Sequence, residues 1–242
     1  TNSMKKILLL LILAIISCSR DNENNSNEKY ISKIIYGTGE NFSFSYENKK
    51  LKKIQAVSGN RFSEINITYK DNLPYSIDLT SLNVNYKAIL TYNSNNNLVK
   101  VVKNYESGND FSYGQVISNI EYNTNNKIIR IITDYGNQDI DNVTFTYNNN
   151  VVNSVSTRSG ERTISYDNKK NPYHNIDKGI IIAVFLLQGE IFPEYINSEN
   201  NILQFNSKNY IFQSNKYTYN SDNLPIEKIN ETKANLLYSE ID

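Results

Sequence analysis

The sequence predicts an all-β protein, an antiparallel up-and-down meander of about 13–15 strands curled or rolled into a barrel-like sheet. Three observations lead there. Apolar and polar residues alternate in short runs. The runs end on tyrosine. An Asn-, Lys- or Asp-rich turn then precedes a second apolar run. Alternation with period two gives a strand one buried and one wet face.

In chain order, the first expectation is a secreted, lipid-anchored precursor. Met4 reads as the initiator, Lys5-Lys6 as a basic n-region, and Ile7 to Ile16 as an unbroken apolar run. Such a run is too short to span a bilayer as a helix, which takes about 20 residues, but it suits a signal peptide. Ile15-Ile16-Ser17-Cys18 resembles the lipobox of bacterial lipoproteins, which implies cleavage before Cys18 and lipid attachment to its thiol. Two or more acyl chains hold a protein stably on a membrane, because each buried methylene contributes about 0.8 kcal/mol. Ser19-Arg20-Asp21-Asn22-Glu23 resembles the acidic stretch that sends lipoproteins of the Bacteroidetes to the cell surface. Outer membrane is therefore the expected address, with the cell surface favoured over the periplasmic face. Residues 1–17 read as signal peptide with upstream residues, 18–29 as a lipidated flexible tether, and 30–242 as one repeat-built β domain. Cys18 is the only cysteine, so the domain must hold together without disulfides.

The repeat units follow. Phe42-Ser43-Phe44-Ser45-Tyr46, Ile65-Asn66-Ile67-Thr68-Tyr69 and Val143-Thr144-Phe145-Thr146-Tyr147 are the clearest, with weaker copies ending at Tyr92, Tyr122, Tyr166 and Tyr219. Asn-rich turns such as 93–97, 123–127 and 148–150 follow, because Asn tolerates left-handed backbone and bonds its own main chain. A unit of roughly two dozen residues is one hairpin with its connection. Many runs are about five to seven residues, short of the 9–11 that span an outer membrane. With the Glu240-Ile241-Asp242 ending and an anchor at Cys18, this favours a barrel that does not span.

Two interruptions break the pattern. Tyr166-Asp167-Asn168-Lys169-Lys170-Asn171 runs into Pro172 and should leave the sheet. Ile180 to Leu187 is then continuously apolar between Asp177 and Gly189. Asp caps helix starts and Gly helix ends, so a short buried helix or plug near 180–188 is expected, with a buried strand as the alternative.

The Tyr-turn-Leu/Ile units resemble the tyrosine-aspartate repeats of bacterial surface shells. Together with Tyr166-Asp167-Asn168-Lys169-Lys170-Asn171-Pro172 and Asn200-Asn201-Ile202, they are similar to a family of uncharacterised Bacteroidetes lipoproteins. That family carries a porin-like domain, a rolled antiparallel sheet. The resemblance implies this fold over roughly residues 30–240 and brings no catalytic residue with it.

The chemistry-bearing residues form no recognised constellation. The 25 basic and 25 acidic residues cancel, which leaves no electrostatic footprint for nucleic acid. His174, the only histidine, sits in a predicted loop, with no Gly-x-Ser-x-Gly elbow for it to serve. Zinc would need more ligands, and Gly37-Thr38-Gly39 is too short to cradle phosphate. Asp139-Ile140-Asp141-Asn142 lacks the spacing of a calcium loop. Glu64, Glu121, Asp134 and Glu161 are candidate acids for a carboxylate hydrolase. Tyr75, Tyr105, Tyr113 and Tyr135 fall outside the repeat and are candidates for stacking on a ligand. No cofactor or metal is expected, and no catalytic residue.

The leading expectation is a non-enzymatic surface binding or structural module, tied to the membrane through Cys18, with a glycan, peptide or protein partner on one face of its sheet. The alternative is a carrier enclosing a lipid or other apolar ligand, and the third reading is a carboxylate hydrolase. An exposed aromatic patch, an apolar cavity, or converging acids would tell them apart.

Overall fold

A computed structural model of the chain describes residues 28–82, 84–108, 114–136, 139–149, 151–187, 199–207, 210–230 and 233–241. The signal peptide, Cys18 and most of the tether lie outside them, as does Tyr113. The strands are β1 (Lys29–Tyr36), β2 (Asn41–Glu47), β3 (Lys50–Ser58), β4 (Arg61–Lys70), β5 (Leu73–Ser81), β6 (Val84–Tyr92), β7 (Leu98–Gly108), β8 (Gln115–Tyr122) and β9 (Ile128–Asp134). There follow β10 (Ile140–Asn148), β11 (Val151–Thr157), β12 (Gly160–Lys170), the helix α1 (Lys178–Leu187), β13 (Asn200–Ser207), β14 (Tyr210–Ser214), β15 (Lys216–Tyr219), β16 (Pro225–Ile229) and β17 (Lys233–Glu240).

Turn chemistry sets the hairpins. Asn48-Lys49 and Asp71-Asn72 have positive φ at both residues, the two-residue turn whose twist matches paired strands. The longer turns repeat one design. Asn93 Oδ1 accepts the amides of Asn95 and Asn97. Asn123 does the same for Asn125 and Lys127, and Asn220 for Asp222 and Leu224. Asn96, Asn126 and Asn223 take the left-handed position in each of these turns.

Each strand from β1 to β13 pairs antiparallel with the next, β15 pairs with β16 and β16 with β17, and β17 pairs back onto β1, with Ile34 opposite Leu236. The result is a nearly closed barrel. The 17 strands among the described residues exceed the expected 13–15 for two reasons. β13 and β14 fall between Tyr166 and Tyr219, where no tyrosine-turn unit marks a strand. Asn215 also splits one extended segment into β14 and β15. That segment pairs with β13 through its first half and with β16 through its second. Asn215 makes the switch: its amide N–H donates to Leu203 O (2.7 Å) and its side-chain Nδ2 to Ile202 O (2.9 Å). Most strands run 7–11 residues, longer than the five to seven expected.

The tyrosines have a common structural role. The register shifts at Tyr46, Tyr69, Tyr92, Tyr122, Tyr147, Tyr166 and Tyr219, so every anchor of the repeat stands at a β-bulge. A bulge bends its strand and re-aims the side chain. Four of these hydroxyls then reach a main-chain carbonyl on the preceding strand: Tyr46 to Ile31 (2.9 Å), Tyr69 to Leu51 (2.9 Å), Tyr122 to Leu98 (2.8 Å) and Tyr147 to Ile128 (2.6 Å). Tyr238 makes the same bond to Pro225 (2.9 Å) without a turn beside it in sequence to announce it. All lie at one end of the barrel and form a girdle there. The other end is built by the connections after the odd-numbered strands up to β11.

Helix α1 enters through the girdle. As expected, Asp177 caps it: Oδ1 accepts the Gly179 amide (2.7 Å) and the main-chain carbonyl accepts that of Ile181 (3.2 Å). Apolar residues occupy every side of the helix, which suits an element surrounded by sheet. Ile180, Ile182, Ala183 and Leu187 are buried among Ile77, Ala88, Leu98, Val101 and Ile131. Inside the barrel the buried Lys103 donates its ammonium to Leu187 O (2.9 Å), the carboxyl end of the helix. The same ammonium lies 4.1 Å from the Tyr86 ring centre and 5.0 Å from that of Tyr105. A cation at a helix C-terminus and against aromatic faces is favoured on both counts.

The outer face is polar. Lys53 and Glu64 pair at 3.2 Å, Gln55 and Asn66 both bond Glu64 at 2.8 Å, and Lys87 meets Asp78 at 3.4 Å. A lipid-facing barrel wall would be apolar at these positions. Among the described residues, no helix is long and apolar enough to cross a membrane.

Candidate functional site

The helix does not fill the barrel. On one side of α1, a cleft of about 200 Å³ runs between the helix and β1–β4. Phe42 and Phe44 of β2, Ile54 and Ala56 of β3, and Ile181 and Val184 of the helix line it, with Ser63 as one of its few polar groups. These positions face inward because strand alternation puts Phe42 opposite Ala56 and Ala56 opposite Ser63. They are half-buried rather than buried, as side chains bordering open space must be.

Next to it, past Ile34 and Phe185, lies a second cavity of about 260 Å³, bounded by β13–β17 and β1. It shares Ile34, Tyr36, Tyr173 and Phe185 with the first, so one group of side chains borders both. Its remaining wall is different in kind: Asn171, Asn201, Gln213, Tyr217 and Lys228 contribute polar groups. It lies beside the switch at Asn215, below which β13 and β15 no longer form a ladder. Lys228 faces inward because it pairs with Tyr217 on one side and with the buried Ala234 on the other.

Asn201 is only 2% exposed. Its Nδ2 donates to Asp167 Oδ2 (3.1 Å) and Lys170 O (3.1 Å), and its main-chain N–H to Asp167 Oδ1 (3.1 Å). Asp167 also accepts the Lys169 amide (2.9 Å) and the Tyr219 hydroxyl. The Asn171 amide bonds Glu199 O (3.0 Å) across the same junction. The two segments that carry the family resemblance, 166–172 and 200–202, are thus tied together where β12 leaves the sheet and β13 enters it. These acceptors fix the orientation of the Asn201 amide and leave Oδ1 buried with no hydrogen-bond partner. An unsatisfied buried acceptor costs about 1–3 kcal/mol.

Electrostatics in the girdle follow from burial. Desolvation pushes the Tyr122 hydroxyl up to about 12, and the Asp177 carboxylate adds to the effect. Tyr46, Tyr69, Tyr92, Tyr147 and Tyr238 are pushed up in the same direction, chiefly by burial. Burial lowers His174, whose Nδ1 sits 2.8 Å from Asn171 O. These groups stay neutral at physiological pH and serve structure.

The sequence-nominated residues disperse. Glu64 lies on β4, Glu121 on β8, Asp134 at the end of β9 and Glu161 on β12, so no pair shares a strand or a hairpin turn. Glu64 is held by Gln55, Asn66 and Lys53, Glu161 by Ser154, and Asp134 by the Gly136 amide. Asp139 and Asp141 both face Arg158, at 2.8 and 3.5 Å. Tyr105 packs edge-on against Tyr86, while Tyr75 is 43% exposed beside Lys70. Sequence reasoning missed Lys103, Gln213 and Lys228. Asn201 falls within a motif that carries the family resemblance but has no role assigned to it there, and Tyr173, next to Pro172, is missed as well. An inward-facing lysine in a strand has no signature until its partner strand is known.

In comparisons with known proteins, no family model matches and no curated protein matches. Among solved structures, the chain is similar to a porin-like protein from Bacteroides uniformis, with TM-score 0.55 and 13% identity over 86% of this chain and 96% of the other. A porin-like protein from Bacteroides vulgatus overlaps with TM-score 0.41 and 11% identity, over 88% of this chain and all of the other. The first likeness supports the porin-like rolled-sheet fold.

Proposed function

We propose that this chain is a lipid-anchored outer-membrane protein that stands clear of the bilayer and binds, without catalysis, an apolar ligand inside its barrel. The observation that carries this is the cleft between α1 and β1–β4, apolar on nearly every side. Together with the adjoining cavity it falls in the size range of small-ligand sites, about 300–1,000 Å³. The charged ladder on β3–β6 supports a barrel that sits outside lipid. The anchor is the one expected at Cys18, which labelled palmitate would enter and Cys18→Ala would exclude. Binding is tested by titrating the purified mature protein with a fluorescent fatty-acid probe. Ala56→Phe, which fills the cleft, should lower probe affinity at least tenfold while the thermal melt stays cooperative. Equal affinity in the two proteins would sink the proposal.

A partner on the outer face is a second reading with one observation in its favour. Val57 and Phe62 pair across β3 and β4, and with Leu82 they leave an exposed apolar patch at the end of the barrel opposite the tyrosine girdle. Phe62→Ser would weaken capture of such a partner and leave probe binding intact.

A further inference from the structure

We propose that the ligand is a single-chain amphiphile whose tail lies in the cleft beside β1–β4 and whose hydroxyl-bearing, anionic headgroup occupies the cavity between β13 and β17. This rests on the interior-binding reading above and adds the chemistry and direction of the ligand. Three observations carry it. The two cavities share Ile34, Tyr36, Tyr173 and Phe185, so a ligand in one adjoins the other. Their walls differ: the first has Ser63 among its few polar side chains, whereas the second has Asn171, Asn201, Gln213, Tyr217 and Lys228. Asn201 Oδ1 is buried, lacks a donor and belongs to a residue that lines the second cavity.

Each feature selects part of the headgroup. The Asn201 amide cannot turn over to cure its unsatisfied oxygen, because Nδ2 is committed to Asp167 and the Lys170 carbonyl. This oxygen is closed off from the cavity in the free barrel, so a ligand hydroxyl supplies the missing hydrogen bond through a small side-chain shift of the wall. Lys228, half-buried and aimed into the barrel between Tyr217 and Ala234, selects negative charge. The Gln213 side chain, which donates to Asn215 Oδ1 at 3.0 Å, leaves its carbonyl oxygen as a second acceptor for hydroxyls. A glycerol phosphate carries both hydroxyl and charge, and a cavity of about 260 Å³ accommodates one.

The experiment compares four probes on the mature protein and on Lys228→Met by isothermal titration: myristoyl-lysophosphatidylglycerol, tetradecyl phosphate, methyl myristate and glycerol 3-phosphate. The expected order of affinity is the lysolipid above tetradecyl phosphate above methyl myristate, with the tail-less glycerol 3-phosphate weakest. Lys228→Met should weaken the two phosphates by about 10- to 100-fold and leave methyl myristate unchanged. Gln213→Leu, which breaks no hydrogen bond to Asp167, should reduce the advantage of the lysolipid over tetradecyl phosphate. If methyl myristate binds as well as the lysolipid, or if Lys228→Met weakens every probe alike, the headgroup assignment is overturned and interior binding of an apolar chain stands. Glycerol 3-phosphate binding as tightly as the lysolipid would also overturn it, by showing a site for the free head. If none of the tailed probes binds, the interior-binding reading falls with it.

Discussion

Replacing girdle tyrosines by phenylalanine separates hydroxyls that are bonded from one that is not. Tyr122 donates to Leu98 O at 2.8 Å, in a setting buried enough to raise its pKa to about 12. Tyr122→Phe removes the donor, keeps the ring and leaves the carbonyl one partner short, at a cost of about 1–2 kcal/mol. For a domain of this size that lowers Tm by about 2–8 °C. Tyr92 stands at the same bulge position two strands away, yet its hydroxyl is buried without a hydrogen-bond partner. Tyr92→Phe removes a desolvated polar atom and breaks no bond, so it should leave Tm unchanged or raise it by a few degrees. Reversible urea or thermal melts by circular dichroism on both variants decide the matter. Equal losses from the two substitutions would refute the carbonyl bond as the reason for the tyrosines and leave ring packing as their whole contribution.

Further perturbations probe the same end of the barrel and its plug. Tyr46, Tyr69, Tyr92, Tyr122, Tyr147 and Tyr238 all titrate higher folded than the unfolded value near 10, so their stabilisation is complete below pH 10 and is lost as pH rises above it. Each contributes at most about 1.4 kcal/mol per pH unit, less where water reaches the ring, and the six together should unfold the barrel steeply in alkali. Asp177→Asn keeps the helix cap but removes the negative charge near Tyr69, Tyr92 and Tyr122, so the alkaline midpoint should move to higher pH. A pH titration of far-ultraviolet dichroism reads both. Gly179→Ala would put a Cβ 2.7 Å from the Tyr92 hydroxyl and 2.9 Å from Asp177 Oδ1, so it should destabilise where alanine ordinarily favours a helix. Adding Tyr92→Phe should recover part of the loss, as a double-mutant cycle would measure. Lys103→Met removes the bond to Leu187 O and the contact with the Tyr86 ring, and should cost about 2–4 kcal/mol in urea unfolding.

Local chemistry was legible and long-range geometry was not. Alternation in Ile65-Asn66-Ile67-Thr68-Tyr69 marked β4 with its inward face, since Ile65 and Ile67 are buried. Asp177 before an apolar run marked the start of α1, and Asn-rich turns marked the hairpins. The tyrosines were recognisable as a repeat, but their bond to a preceding strand was invisible, because it depends on a register shift between two strands. Tyr238 belongs to the girdle without any turn signal.

The candidate site was the least legible part. Lys228 reads like any strand lysine, and only its pairing with Tyr217 and Ala234 turns it into the barrel. Asn201 reads like a turn residue, and only contact with Asp167, 34 positions away, makes it a buried acceptor. By itself, the sequence determined the all-β meander, its turns, the apolar plug and the residue types on each strand face, because these follow from neighbours a few positions apart. Tertiary structure alone decided the closure of β17 on β1, the switch at Asn215 and the two adjoining cavities beside the helix. Those depend on which strands meet and on how much of the enclosed volume a ten-residue helix leaves unfilled, quantities summed over contacts far apart in the chain.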